Sequence, residues 1–312
     1  MDLKIKYGKV AVVMGGDSAE REISLMSGGA VLKALLDQGV DAYSFDPSIT
    51  PITELVTQGF SRALLMMHGE GGEDGVIQGA LELLQIPYTG SGVMASSIAM
   101  DKYRTKLLWQ ALGVPVAKSQ YVQRLGFSHD SFKLDTCISL PVVVKPANGG
   151  STIGLSRVYE IDELASAIDL AFTVDNALLI ESLITGDEFS ITVCDGIAYP
   201  VVQIVAPDGN YDYQNKYFTD DTKYICPAIL GSELLAVIQK YALCGYAGVG
   251  ARGVARLDFM LNEHNQIFFL ELNTLPGMTG HSIVPIAYRA QNINFEQLCL
   301  KILDGATLDR LR

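Results

Sequence analysis

The chain has 312 residues, 49% hydrophobic and 19% charged, a balance that fits a folded globule of two or three domains and not a disordered or fibrous chain. A formal charge of −12 opposes any surface that tracks nucleic acid or anionic lipid, so a bound phosphate must be held by a few local lysines and cations. The five cysteines (Cys137, Cys194, Cys226, Cys244, Cys299) form no CxxC pair, residues 1–9 carry no apolar leader, and no run of about 18 apolar residues occurs; a cytoplasmic protein without a membrane span is expected.

In chain order, residues 10–14 read as a buried strand ending at Gly15-Gly16, after which Asp17 or Ser18 can cap a helix running to about Gln38. Short apolar runs at 42–45 and 63–67, with a helical pattern over 76–84, continue the strand–helix alternation that implies a parallel sheet. A helix over 95–112 is stopped by Gly113-Val114-Pro115, and the first domain boundary is placed at 101/102. Strands at 140–145, 155–159 and 177–181 and a helix at 162–172 form a small mixed lobe ending near 185. From 186 to 312 come alternating strands at 188–194 and 197–205, an aromatic loop at 211–224, a helix at 232–244, a hairpin and C-terminal helices.

Two alternating runs around a polar turn, ARLDFML and IFFLELN, read as a β-hairpin. With the turn centred between His264 and Asn265, Leu257, Phe259 and Leu261 face Leu272, Leu270 and Phe268, giving one apolar face. That register sets Asp258 opposite Glu271 and Arg256 opposite Asn273. Two carboxylates about 5 Å apart repel by roughly 3 kcal/mol at an effective dielectric near 20. The pair is therefore expected to need a cation, and replacing either acid by its amide to leave the metal-free protein as stable or slightly more so. Oxygen-only ligands Asp258, Glu271 and Asn273 suit Mg²⁺; a solvated hairpin face without metal is the alternative.

PVVVKPANGGSTIG places Lys145 at a strand end before a glycine loop whose backbone N–H groups can close over phosphates, or which is an ordinary hairpin. No GxxxxGK[ST] occurs, so a Walker loop is excluded. HGEGGEDG sets His68 at a strand end where backbone can approach a ligand closely, although a structural histidine reads equally well. Glu20 lies at the mouth of the first strand–helix turn, where open sheets bind ligands and where a helix also favours an acid. YDYQNKYFTDDTKY is too aromatic for a solvated linker and either covers a ligand or simply packs. In NTLPGMTGHS, Ser282 can cap the following helix.

Together with GGDSAEREISLMSG and YTGSGVMASSIAMDK, these segments, in this order, resemble the D-alanine–D-alanine ligase family over nearly the whole chain. The resemblance implies an α/β, mixed α+β, three-lobed ATP-grasp architecture with an N-terminal parallel-sheet domain. It divides the chain into an N-terminal substrate domain at 1–101, a small central lobe at 102–185 and a C-terminal metal-bearing lobe at 186–312. It implies ATP-dependent joining of two D-alanine molecules through an acyl phosphate, for peptidoglycan precursor synthesis. Lys102 and Lys145 would hold ATP phosphates beside Ser151, Glu181, Leu183 and Glu188 would line the adenine and ribose site, and Asp258, Glu271 and Asn273 would bind two Mg²⁺ or Mn²⁺ ions. Glu20 and His68 would receive the first D-alanine, with Glu20, Ser151 and Tyr217 in one hydrogen-bonded network and Lys216 facing the transferred phosphoryl group. Arg256 and the Gly277 N–H would stabilise the oxyanion, and Ser282 with the Ile283 backbone would bind the second carboxylate. A cytoplasmic homodimer is implied. The glycine loop departs from many relatives in reading Asn148-Gly149-Gly150, which bears on its own contacts to phosphate.

The alternatives are another ATP-grasp carboxylate–amine ligase, including one joining D-alanine to D-lactate, a nicotinamide dehydrogenase, or a non-catalytic nucleotide-binding module. A dehydrogenase would need a GxGxxG after a strand, which the chain lacks, and leaves Asp258 and Glu271 unexplained.

Overall fold

The computed structural model describes residues 2–150, 152–207, 222–280 and 282–309. After a short helix α1 (Leu3–Tyr7), strands β1 (Val10–Val13), β2 (Ala42–Phe45) and β3 (Arg62–Leu65) form a parallel sheet in the order β2-β1-β3. Its crossovers carry α2 (Arg21–Asp37) and α3 (Glu54–Thr57). β1 is apolar throughout because both its faces are covered: Val10 and Val12 pack towards α2 and the C-terminal helices, Ala11 and Val13 towards Leu55, Leu81 and Tyr88. Helix α4 (Val76–Leu84) matches the expected span. α2 begins three residues later than the expected cap; the Ser18 hydroxyl accepts from the Glu20 N–H at 3.2 Å and donates to the His68 carbonyl at 2.7 Å.

The expected single helix over 95–112 is two, α5 (Val93–Met100) and α6 (Lys102–Ala111). Asp101 breaks it by leaving helical geometry (φ −87°, ψ 100°) and capping α6 through its carboxylate to the Arg104 N–H at 2.9 Å. The break makes Lys102 the first residue of a helix that points into the molecule's central cleft.

A second sheet, β4-β7-β5-β6, is antiparallel and comprises β4 (Ser119–Gln123), β5 (Val142–Pro146), β6 (Ser156–Val158) and β7 (Ala177–Ser182). Helix α7 (Leu164–Val174) packs on the face carrying Val142, Val144, Leu178 and Ile180. By the two-residue period of a strand, Lys145 and Glu181 face the other way. The edge strand β4, SQYVQ, has too little apolar alternation to be read from sequence.

The third sheet, β11-β10-β8-β12-β13 with β9 on β8, comprises β8 (Gly186–Cys194), β9 (Ile197–Ala198), β10 (Val202–Val205), β11 (Lys223–Ile225), β12 (Val254–Asn262) and β13 (Ile267–Asn273). The expected run 197–205 is thus two strands. α8 (Ser232–Val249), longer than expected, and α6 cover one face, with α9 (Ile283–Arg289) and α10 (Phe295–Asp304) closing the chain against α2. Trp109 on α6 is fully buried there, donating to the Gly245 carbonyl at 3.1 Å and meeting Phe269 edge-on; a Cβ at Gly245 would stand 2.9 Å from the indole nitrogen.

The expected hairpin register holds at the end away from the turn, with Arg256↔Asn273, Leu257↔Leu272 and Asp258↔Glu271, and fails nearer it. A bulge after Asp258 pairs Phe259 with Phe269 and Leu261 with Ile267. One extra residue, Leu270, shifts the alternation so that Phe269 and Ile267 are buried in place of Leu270 and Phe268. Leu270 is thereby free to line the cleft.

Candidate functional site

Between the second and third sheets lies a cavity of about 820 Å³. Lys102, Lys145, Glu181, Leu183, Glu188, Asp258 and Glu271, seven of the residues singled out from sequence, line it together. Segment 182–185 links the two sheets and forms one wall, and the glycine loop after β5 forms another, with Gly149 in the left-handed region at φ +96°.

The charges on the cavity floor are paired across elements. Lys145 Nζ of β5 stands 3.0 Å from Glu181 Oε2 of β7, and Lys106 Nζ of α6 stands 2.9 Å from Oε1 of the same carboxylate. Burial raises the Glu181 carboxyl, but the two ammoniums overcome it and hold it below the usual range. Burial pulls Lys106 down to about 8 against the opposing pull of Glu181. Lys102, one turn before Lys106, lies 3.3 Å from Glu271 Oε2 and donates to the Gly149 carbonyl, tying α6 to the glycine loop. Lys106 was not foreseen; its four-residue spacing from Lys102, which puts both on one helix face, was the available signal.

On the cleft face of the third sheet, Ser190, Asp258 and Glu271 form one cross-strand row and Thr192, Arg256 and Asn273 the next. Asp258 is not a bare neighbour of Glu271. Arg256 grips it with Nε at 2.9 Å from Oδ1 and Nη2 at 2.8 Å from Oδ2, and Ser190 donates to Oδ1 at 2.7 Å. The repulsion expected between the two acids is thus met by protein cations, Arg256 for one and Lys102 for the other. Asn273 Oδ1 is buried and accepts no hydrogen bond from the described residues, an acceptor that a hard cation would satisfy. Two carboxylates and one amide oxygen fit Mg²⁺ or Mn²⁺ completed by phosphate oxygens and water, but do not make a closed cage.

A second cluster, away from the lining of the cavity, joins the N-terminal sheet to the loop after β13. Gly15 and Gly16 take φ of +86° and +79°, and a Cβ at Gly15 would stand 2.4 Å from Asp46 Oδ2. Asp46 accepts from the Gly16 N–H at 3.1 Å and from Arg21 at 2.6 Å; burial raises its carboxyl, but these donors bring it down to about 2. The turn so fixed presents Glu20, whose Oε2 would be 2.8 Å from a Cβ at Gly69 and 3.4 Å from one at Gly150, so it stands between the two glycine loops.

His68 is buried, and desolvation takes it down to about 4, against a bond to the Leu275 carbonyl, so its imidazole is neutral at pH 7. Its Nε2 lies 3.4 Å from Ser27 Oγ, which accepts from the Met278 N–H at 3.2 Å. Glu73, in the glycine-rich motif but not foreseen as a participant, accepts from the Gly69 N–H at 2.8 Å and from the Leu275 N–H. Burial and then the charge of Glu20 push its carboxyl up to about 8. Gly277 leaves room for Ser282, whose Oγ would be 3.0 Å from a Cβ there. Ser282 sits at the N-cap of α9 without a capping bond; its Oγ turns back to accept from the Thr279 N–H at 2.9 Å. Ile283 is buried beside it. Ser151, Lys216 and Tyr217 lie outside the described residues.

Residues 108–304 match the sequence profile of the family described as D-ala D-ala ligase C-terminus. The D-alanine–D-alanine ligase of Albidiferax ferrireducens is 50% identical over 309 residues, covering 97% of this chain and 88% of that protein. The crystal structure of D-alanine–D-alanine ligase from Bacillus anthracis superposes with a TM-score of 0.84 at 31% identity, covering 97% of this chain and 98% of that one. The same bacterium's enzyme complexed with ATP gives a TM-score of 0.82 at 29% identity, with 97% and 98% covered.

Proposed function

The chain belongs to the D-alanine–D-alanine ligase family, and from that premise we propose how its residues divide the work. It is an ATP-dependent, ADP-forming ligase of ATP-grasp fold that joins two D-alanine molecules into D-alanyl-D-alanine for peptidoglycan precursor synthesis. A carboxylate is a poor electrophile, so ATP first phosphorylates the carboxylate of one D-alanine. The amine of the second then attacks the acyl phosphate, and phosphate leaves.

The observation that carries the assignment of roles is the single cavity that gathers Lys102, Lys145, Asp258 and Glu271 between two sheets. Lys102 and Lys145 hold ATP phosphates, with Ser151 beside them, while Glu181, Leu183 and Glu188 border the adenine and ribose. Asp258, Glu271 and Asn273 would hold two Mg²⁺ or Mn²⁺ ions, which when bound would neutralise charge on the phosphates. Glu20 orients the ammonium of the first D-alanine within a network with Ser151 and Tyr217, and neutral His68 lines that subsite. Lys216 faces the transferred phosphoryl group. Arg256, fixed by Asp258, and the Gly277 N–H stabilise the tetrahedral oxyanion, where preorganised donors are most effective. Ser282 and the Ile283 backbone receive the second carboxylate. We place the lobe boundaries at 101/102 and 185/186 and propose a cytoplasmic homodimer; no described helix is long and apolar enough to cross a membrane.

The test is phosphate release from ATP and Mg²⁺ with D-alanine, L-alanine or D-lactate supplied separately. Release with D-alanine alone, and formation of D-alanyl-D-alanine, is expected. Release without D-alanine would refute the assignment, and efficient D-alanyl-D-lactate formation from the mixed substrates would favour the depsipeptide ligase instead.

A further inference from the structure

Lys106 is out of reach of any ligand. Its side chain is 1% exposed, beneath Glu181, whose own side chain is 5% exposed, while Lys145 on the cleft side is 11% exposed. Three buried charges in contact, two positive and one negative, leave a net single positive charge. We propose that Lys106 is a positioning residue for nucleotide binding: by sharing the Glu181 carboxylate, it prevents that carboxylate from neutralising Lys145 and so leaves Lys145 available to phosphate. The inference rests on the reading that Lys145 meets ATP phosphates.

Two features of the geometry support it. Lys106 reaches Glu181 Oε1 at 2.9 Å and Lys145 reaches Oε2 at 3.0 Å, so the two ammoniums divide one carboxylate between its two oxygens. Lys106 also shares a face of α6 with Lys102, whose ammonium stands against Glu271 in the same manner. One helix therefore supplies a counter-cation to each of two carboxylates that border the nucleotide cleft. Remove Lys106, and Lys145 and Glu181 become a one-to-one ion pair at 3.0 Å, closed on itself.

The experiment compares Lys106→Met, Glu181→Gln, the double variant and Lys145→Met in the full-length enzyme. The readouts are the ATP KM and D-alanine KM of phosphate release, and the rise in melting temperature on adding ATP and Mg²⁺. Lys106→Met is expected to raise the ATP KM roughly tenfold, the equivalent of one weakened charge-assisted contact, with the D-alanine KM unchanged. Because Glu181 itself borders the nucleotide, the double variant is read against Glu181→Gln, where removing Lys106 should change the ATP KM little, since the amide no longer captures Lys145. An unchanged ATP KM in Lys106→Met, or a double variant whose ATP KM stands about tenfold above that of Glu181→Gln, overturns the proposal. Where Lys106→Met alone does not accumulate as folded protein, the comparison of the double variant with Glu181→Gln alone decides the matter. If Lys145→Met leaves the ATP KM unchanged, the underlying phosphate role of Lys145 is what fails.

Discussion

Asp258→Asn tests whether the acid pair strains the ligand-free protein, as the hairpin alone implied, or is integrated into it. Asp258 is 4% exposed and receives two Arg256 nitrogens and the Ser190 hydroxyl. Asparagine keeps one acceptor oxygen but turns the other into an N–H₂ aimed at a guanidinium. Breaking a buried ion pair by removing one partner costs about 3–5 kcal/mol. The retained oxygen still serves Ser190 or one Arg256 nitrogen, and relief from Glu271 returns part of the loss, so a net destabilisation of about 2–3 kcal/mol is expected. Glu271, whose side chain is 26% exposed against Lys102 at 3.3 Å, should lose only about 1 kcal/mol on conversion to Gln. The assay is urea unfolding of both variants at neutral pH with chelator present, and both should lack turnover. If Asp258→Asn were as stable as the parent, or more so, the Arg256 pairing would not be carrying the acid and the simple repulsion argument would stand.

Two titrating groups give predictions of opposite sign. The Asp46 carboxyl is depressed to about 2, so its contribution is present above the unfolded value near 3.9 and is lost as pH falls towards 2. Asp46→Asn should cost about 1–2 kcal/mol near pH 7, with the gap to the parent closing in acid melts; a gap that persists at pH 2 would refute the charge-based account. Glu73 is raised to about 8, so the unfolded chain loses its proton first and stability declines as pH rises from about 4.5 to 8. Glu73→Gln retains an acceptor oxygen and should flatten that decline, and melting temperatures for the two proteins that fall in parallel over this range would reject it.

What the sequence disclosed and what it withheld divide along physical lines. Strong alternation located β12 and β13 and set Asp258 opposite Glu271, because burial specifies register wherever one face is apolar. The bulge at Leu270 was invisible, since both residues that could be buried at each step are apolar. The split between α5 and α6 was missed because helix-compatible residues continue on both sides of it with no Gly or Pro between them, although Asp101 is a strong N-cap type. Lys145 was located by its motif, but Lys106, which shares the Glu181 carboxylate with it, lies far away in sequence, and nothing local indicates that a lysine in a helix will be buried under a glutamate. The pairing of Arg256 with Asp258 was within reach, since residues two apart on a strand share a face. Ser190 and Glu73 act through the chain's long-range contacts, to Asp258 in one case and to Leu275 in the other.

The chain contains one tryptophan, and it lies three residues beyond Lys106 on the same helix, sealed against Phe269 and the Gly245 carbonyl. Trp109 is therefore an intrinsic optical probe of a single event, the seating of α6 on the third sheet. Its emission should be blue-shifted and poorly quenched by iodide while α6 is docked. Any treatment that releases the helix from the sheet should red-shift the spectrum, whatever happens to the indole-free parallel sheet near the N-terminus.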